Sequence, residues 1–162
     1  MAPRCYGRLC SGGSLKRTYK GFPVDKPDPS RPSETKVYWP VLQVRVQYGH
    51  AMSPRFDAIV DSGSPWCIFK ADIGKMIGIS DITKGKPYSL GGVIGNMTES
   101  MWFHRVKIYV EAEGVVEVNA GFAPRLSVTG ILGRNGFFSN FIVNFDHSMT
   151  PPSLEISRIN RS

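Results

Sequence analysis

Apolar and polar residues alternate over short stretches of this chain, as they do in β-strands that are buried on one face. The clearest alternation covers residues 37–48, with a shift at Pro40, and an apolar stretch at 56–60 follows a hairpin-like connection. Further strands are predicted at residues 66–69, 102–112, 115–122, 131–132, 141–145 and 154–159. Only residues 70–77 and 134–139 favour short helices. The pattern predicts an all-β fold, a small closed barrel or a sandwich, with one or two short helices.

The composition agrees with a turn-rich β protein. Of the 162 residues, 17 are Gly, 12 are Pro and 41% are hydrophobic, which suits one domain with a real core. Residues 1–35 have no usable periodicity and few apolar groups to bury, so that we expect a flexible basic N-terminal extension there. Order is expected to begin near Val37, and residues 36–162 form the predicted domain.

The formal charge of +7 suggests an acidic partner, but its distribution weakens that interpretation. Residues 1–36 contain eight basic and three acidic side chains, so that most of the excess lies in the N-terminal segment. Such a tail binds nucleic acid or an anionic membrane surface, or it is a solvated extension. Because no aromatic residues are interleaved with these charges at a regular spacing, we favour the extension and do not expect nucleic acid as a partner.

The cysteines and histidines provide no framework for disulfides or metals. Cys5, Cys10 and Cys67 are an odd number without a secretory signal, which indicates a reducing compartment. No apolar run approaches the roughly 18 residues that a membrane-spanning helix needs. The three His residues are widely separated, and none has ligand spacing to a Cys. We therefore expect a soluble, cytoplasmic protein without a metal, a cofactor or a membrane partner.

The stretch with the strongest chemical signal is the apolar strand at 56–60, which runs directly into Asp61-Ser62-Gly63. It places Asp61 at the edge of a core, where an isolated carboxylate is costly to ionise. The small residues that follow allow a backbone turn to come close to another chain or a ligand. Taken alone, Asp-Ser-Gly is most often only a turn in which Asp accepts local backbone hydrogen bonds. Two further elements of the sequence change this interpretation.

Three elements in the same order resemble the retropepsin-like (retroviral-type) aspartic proteases. The first is Asp61-Ser62-Gly63 after its apolar strand. The second is Gly91-Gly92-Val93-Ile94-Gly95, which stands in the place of the family's Gly-rich flap. The third is Val128-Thr129-Gly130-Ile131-Leu132-Gly133-Arg134-Asn135, which is similar to the second family signature, an apolar pair followed by Gly-Arg-Asn. The resemblance covers about residues 37–146 and implies a closed acid-protease barrel.

The resemblance also implies a role for each matching residue, with Asp61 as the catalytic carboxylate. It implies support of the active-site loop by Ser62, Gly63, Ile131, Leu132 and Gly133, substrate binding by Gly91, Gly92 and Val93 in the flap, and a structural role for Arg134. Ser62 would hydrogen-bond across the axis of a dimer, and Gly133 would pack beneath the Asp61 loop. The flap would fold over an extended polypeptide substrate and exclude water.

The single Asp-Ser-Gly implies a homodimer. One carboxylate cannot both activate water and hold the complementary proton, whereas two copies that meet across a two-fold axis can. Two carboxylates a few ångströms apart share a proton and titrate as a pair. The expected function is therefore that of an aspartic endopeptidase, active on polypeptides as a homodimer at acidic to near-neutral pH.

One departure from the family concerns Arg134. Retropepsins usually have an Asp shortly after the catalytic motif that pairs with this Arg, but Ser64-Pro65-Trp66 stands there instead. Asp57, Asp72 or a group of the second subunit are alternative partners, and the strand at 154–159 is an alternative dimer contact. Two other functions stay open: a non-catalytic dimerisation or peptide-binding module on the same fold, and a basic adaptor whose tail binds an anionic partner.

Overall fold

The computed structural model describes residues 13–91 and 98–160. In these residues the strands are β1 (Ser14–Thr18), β2 (Lys20–Pro23), β3 (Lys36–Trp39), β4 (Val41–Tyr48), β5 (Ala51–Met52), β6 (Phe56–Val60), β7 (Ile68–Lys70), β8 (Lys86–Gly91), β9 (Thr98–Val110), β10 (Gly114–Ala123), β11 (Gly130–Leu132), β12 (Phe141–Asp146) and β13 (Ser153–Arg158). Helix α1 covers Ala71–Met76, and a single turn of 3-10 helix covers Ile82–Lys84. The predicted all-β fold is confirmed. Neither helix in the described residues is long and apolar enough to cross a membrane.

Six strands form a closed barrel, as predicted. Their order around the barrel is β4, β6, β11, β7, β10 and β9, and β9 pairs back onto β4. Strand β4 closes the ring because its first half pairs with β6, with Leu42 opposite Ala58, and its second half pairs with β9, with Val46 opposite Ile108. Two further strands extend the sheet beyond the barrel, β5 on β4 and β8 on β9.

The barrel core follows from the two-residue period of its strands. In β4, Leu42, Val44 and Val46 are buried, while the residues between them are partly or fully exposed. The rings of Phe69 and Phe122, both fully buried, lie 6.0 Å apart and connect β7 to β10 in the interior. Burial of these alternate side chains therefore holds the strands in register.

The N-terminal segment differs from the prediction, because residues 14–23 form two strands. Strand β1 pairs with β13 in a three-stranded sheet of order β1–β13–β12, and β2 pairs with β3. Leu15 and Tyr19 are buried in the core, and the backbone N–H of Tyr19 donates to the carbonyl of Pro152 at 2.8 Å. The expectation that order begins near Val37 is therefore wrong. No local pattern indicates these strands, because the stabilising partner of β1 lies at the other end of the chain.

The prediction of a short helix at residues 134–139 is also wrong. This segment forms consecutive turns between β11 and β12. Gly136 adopts a positive φ of 112°, which a right-handed helix cannot include. The fully buried ring of Phe137 anchors the turns, and it lies 4.9 Å from the ring of Phe141 at the start of β12.

We expect Leu15→Ala to lower the free energy of unfolding by about 2–3 kcal/mol, because it removes buried methyl groups and leaves a cavity. Lys16→Ala, which changes the exposed neighbour on β1, is the matched control and should cost less than about 0.5 kcal/mol. Urea unfolding measures both. Equal stability of the Leu15 variant and the wild type would show that β1 does not belong to the folded core.

Candidate functional site

Asp61 follows directly after β6 and is held by backbone groups from two other segments. Its N–H donates to the carbonyl of Leu132 in β11 at 3.1 Å. The preceding residue, Val60, donates its N–H to the carbonyl of Pro40 at 2.8 Å. The Asp61 side chain is partly exposed. The barrel thus presents this carboxylate at the end of a buried strand, with its backbone position determined by β11 and by the segment before β4.

The Asp61 turn, residues 61–66, fixes the orientation of the carboxylate. The Asp61 Oδ1 atom accepts the N–H of Gly63 at 2.8 Å, and the Asp61 carbonyl accepts the N–H of Ser64 at 3.2 Å. The buried hydroxyl of Ser64 donates to the Trp66 carbonyl at 2.8 Å. Ser62 and Gly63 are exposed at the tip of the turn. The carboxylate is therefore bound to its own turn, while the tip remains accessible to another molecule.

The second signature packs directly against this turn. Strand β11 runs parallel to β6, with Leu132 opposite Val60. The N–H of Arg134 donates to the Ser64 carbonyl at 2.9 Å, and a Cβ atom on Gly133 would lie only 2.1 Å from the Trp66 carbonyl oxygen. Leu132 is fully buried and Ile131 is partly buried. The structure thus brings residues 131–133 into contact with the Asp61 turn, and no side chain fits at position 133.

An open cleft of about 380 Å³ includes Asp61 in its lining. The other lining residues are mostly apolar: Trp39, Pro40, Ile59, Val60, Leu126, Ser127, Val128 and Ile131. Among the described residues that line the cleft, Asp61 is the only ionisable one. A concave apolar surface with one oriented polar group is typical of ligand sites, and this volume lies in their usual range.

The predicted flap lies on the hairpin of β8 and β9. These strands pair up to Gly91, which is opposite Thr98, while Gly92 and Val93 lie outside the described residues. The base of the hairpin contacts the Asp61 turn through aromatic rings. The ring of Trp66 lies 4.7 Å from that of Tyr88 on β8 and 5.7 Å from that of Phe103 on β9. Packing between these rings attaches the hairpin to the turn.

Arg134 is exposed and contacts the site through its backbone N–H. The two acidic residues suggested as its partners are paired elsewhere, since Asp57 forms an ion pair with Lys20 and Asp72 one with Lys75 at 3.8 Å. Those two suggestions are therefore wrong. The C-terminal strand suggested as a dimer contact, β13, lies between β1 and β12. Both of its edges are thus occupied within the chain.

Cys67 is a buried neighbour of the site. It is fully buried, and its Sγ atom lies 4.0 Å from the Gly133 carbonyl oxygen. Burial raises the pKa of the Cys67 thiol to about 11, so that the uncharged form predominates at neutral pH.

Nowhere in the described part of the chain do three His, Cys, Asp or Glu side chains come together as they would around a metal ion.

The sequence pattern predicts part of the cleft wall and misses the rest. It places Trp39 and Pro40 only in a strand and Leu126 and Ser127 in no element, whereas Val128 lies in the second family signature. Trp39 and Pro40 lie directly before β4, and they reach the cleft because the carbonyl of Pro40 accepts the N–H of Val60 at the end of β6. No periodicity marks the loop at 126–128, which reaches the cleft only because β10 and β11 flank β7 on opposite sides.

Comparison with models of known protein families gives no match, and no curated protein is significantly similar in sequence to the chain.

We expect Gly133→Ala to destabilise the protein by at least about 3 kcal/mol, because the added methyl group must displace the backbone of the Asp61 turn. Gly13→Ala is a suitable control, since a Cβ atom there meets no atom within 4 Å. Thermal unfolding followed by circular dichroism compares the two variants. A Gly133 variant as stable as the wild type would mean that the contact with Trp66 is not tight in solution.

We expect Cys67 to resist alkylation by iodoacetamide at pH 8 in the folded protein and to react readily in urea. Its pKa is raised by burial, so the folded chain keeps a proton that the unfolded chain releases at lower pH. Consequently, stability should fall as pH rises above the ordinary thiol pKa of 9.0 toward 11. Peptide mass mapping separates Cys67 from the other two cysteines. Fast labelling in the folded state would contradict its burial.

Proposed function

We propose that the chain is one subunit of a retropepsin-type aspartic endopeptidase, which hydrolyses peptide bonds as a homodimer. The observation that carries this proposal is the oriented Asp61 carboxylate in the wall of an apolar cleft, with Oδ1 accepting the Gly63 N–H at 2.8 Å. The contact between residues 131–133 and the Asp61 turn supports it further, because the two motifs of the family resemblance meet at one place.

In the proposed dimer the two Asp61 carboxylates share one proton. The ionised carboxylate removes a proton from a water molecule as the water attacks the peptide carbonyl. The protonated carboxylate donates a hydrogen bond to the oxygen on which negative charge develops. The hydrogen bond from Gly63 favours a single orientation of each carboxylate, which this division of roles requires.

Two features of the surface support association of two copies. The tip of the Asp61 turn, Ser62 and Gly63, is exposed, so that a second copy can approach the carboxylate. Strand β12 forms an outer edge of the sheet β1–β13–β12 and exposes the apolar side chains of Ile142 (54%) and Phe145 (40%). An edge strand with exposed apolar residues tends to pair with another chain. Antiparallel pairing of two β12 edges is compatible with two-fold symmetry.

The cleft suits a polypeptide substrate. It is open to solvent and lined mainly by apolar side chains, so that apolar side chains of a peptide can bind next to the carboxylate. Extended peptides bind such sites by main-chain hydrogen bonds, while pockets select alternate side chains. Hydrolysis by a carboxylate pair uses only water and the chain's own residues.

The test compares Asp61→Asn with Asp57→Asn on a mixed peptide library at several pH values between about 4 and 7, because activity that depends on a shared proton varies with pH. Both carboxylates are partly exposed. Asp57 lies in β6, and Asp61 is the first residue after this strand. We expect the Asp61 variant to lose at least about 1000-fold in kcat/KM, because a general base and acid are removed. The Asp57 variant loses only an ion pair with Lys20 and should change less than about threefold.

Sedimentation of each variant controls for folding and dimerisation. A folded dimer that binds peptides without cleaving them would favour the non-catalytic peptide-binding module. Equal cleavage by wild type and Asp61→Asn would disprove the proposed mechanism. Activity of a monomer would disprove the shared site.

A further inference from the structure

The ribbon formed by β2 and β3 has one partly covered and one exposed face. On the partly covered face Tyr38 is partly buried and packs against the core, and a Cβ atom on Gly21 would lie 3.0 Å from its ring. Residues of a strand alternate between its two faces, and residues directly opposite each other share a face. The pairs Phe22–Val37 and Lys20–Trp39 therefore share the other face, and all four are exposed.

This exposed ribbon face is mainly apolar. Phe22, Val37 and Trp39 are 36%, 38% and 43% exposed, respectively. The ammonium group of Lys20 lies 5.6 Å from the centre of the Phe22 ring and forms an ion pair with Asp57. The one charge on the face is thus already bound within the chain, which leaves three apolar side chains next to one another.

The ribbon face is continuous with the Asp61 cleft, because Trp39 belongs to both. Trp39 and Val37 are two residues apart on β3, which separates them by about 6.6–7 Å. Alternate side chains of an extended polypeptide have the same spacing. A peptide that leaves the cleft in an extended conformation past Trp39 therefore brings its next side chain on that face toward Val37 and Phe22.

The area of the ribbon face favours a peptide over a second copy of the chain. At their observed exposures, the three side chains offer about 200 Å², since aromatic side chains have areas of about 150–250 Å². A stable protein interface needs about 800 Å² on each partner. The ribbon face is therefore large enough for one or two side chains of a bound peptide and too small to hold a dimer together.

We propose that the ribbon face of Phe22, Val37 and Trp39 extends the cleft and takes an apolar side chain of the polypeptide substrate beyond those held beside Asp61. This inference rests on the proposed function and narrows its substrate class. The enzyme then selects extended polypeptides that carry a large apolar residue some distance from the cleaved bond. This residue lies in the part of the substrate that leaves the cleft past Trp39.

The experiment uses two peptide libraries that share a randomised centre and differ only in their flanks, which are Ser-Phe-Ser or Ser-Ser-Ser. We expect the wild type to cleave the Phe-flanked library about fivefold to tenfold more efficiently, because one aromatic ring is buried. Phe22→Ser should abolish most of this preference, and Val37→Thr should reduce it about twofold to threefold. Val115→Thr is the matched control, because Val115 is also a strand valine that is 38% exposed, and it should leave the preference intact.

Three results would overturn the inference. Equal cleavage of both libraries by the wild type would mean that no flanking residue is recognised. Preservation of the preference in Phe22→Ser would place the recognition elsewhere. A change in sedimentation of the Phe22 or Val37 variant, but not of the Val115 variant, would show that the ribbon face contacts a second subunit instead.

Binding to Asp61→Asn separates this inference from the proposed function. Fluorescence anisotropy of labelled peptides with Phe-containing or Ser-only flanks measures recognition without cleavage. If the wild type cleaves neither library, but Asp61→Asn binds the Phe-flanked peptides more tightly and Phe22→Ser removes that difference, the endopeptidase function fails and the ribbon face stands as a peptide-binding surface. If no preference for Phe-flanked peptides appears in cleavage or in binding, the ribbon proposal fails.

Discussion

The close approach of Gly133 to the Trp66 carbonyl is the contact on which the rest of the site depends. It allows β11 to pair with β6 while the turns that follow β11 bind the Asp61 turn through the N–H of Arg134. A side chain at position 133 would separate these two segments, and Asp61 would lose its backbone support from Leu132. The contact between β11 and the Asp61 turn, and with it the backbone support of Asp61, thus depends on one tight backbone approach.

From this contact the site extends in two directions. Toward β8 and β9, the ring of Trp66 packs on Tyr88 and joins the base of the hairpin to the Asp61 turn. Toward the N-terminus, the carbonyl of Pro40 binds Val60, which places Trp39 in the cleft and the β2–β3 ribbon beside it. The N-terminal strand β2 therefore pairs with the strand whose last residue, Trp39, reaches the cleft.

The elements that could be predicted are those whose signal lies within a few residues. The alternation in β4, the apolar strand β6 before Asp61 and the hairpin of β9 and β10 follow from local pattern, because one face of each strand is buried in the same barrel. The strand β1 could not be predicted, since only two of the residues at 14–19 are buried and its partner is β13. The helix predicted at 134–139 failed because a positive φ at Gly136 interrupts it.

The sequence by itself determined the all-β character of the barrel and the position of the Asp61 carboxylate at the end of a buried strand, because periodicity and a short motif are local properties. Only the tertiary structure decided that Trp39, Leu126 and Val128 line the cleft with Asp61, and that β2 pairs with the strand that ends at Trp39. These residues come from segments that are distant along the chain and carry no shared pattern. Their proximity arises from the order in which the strands close the barrel.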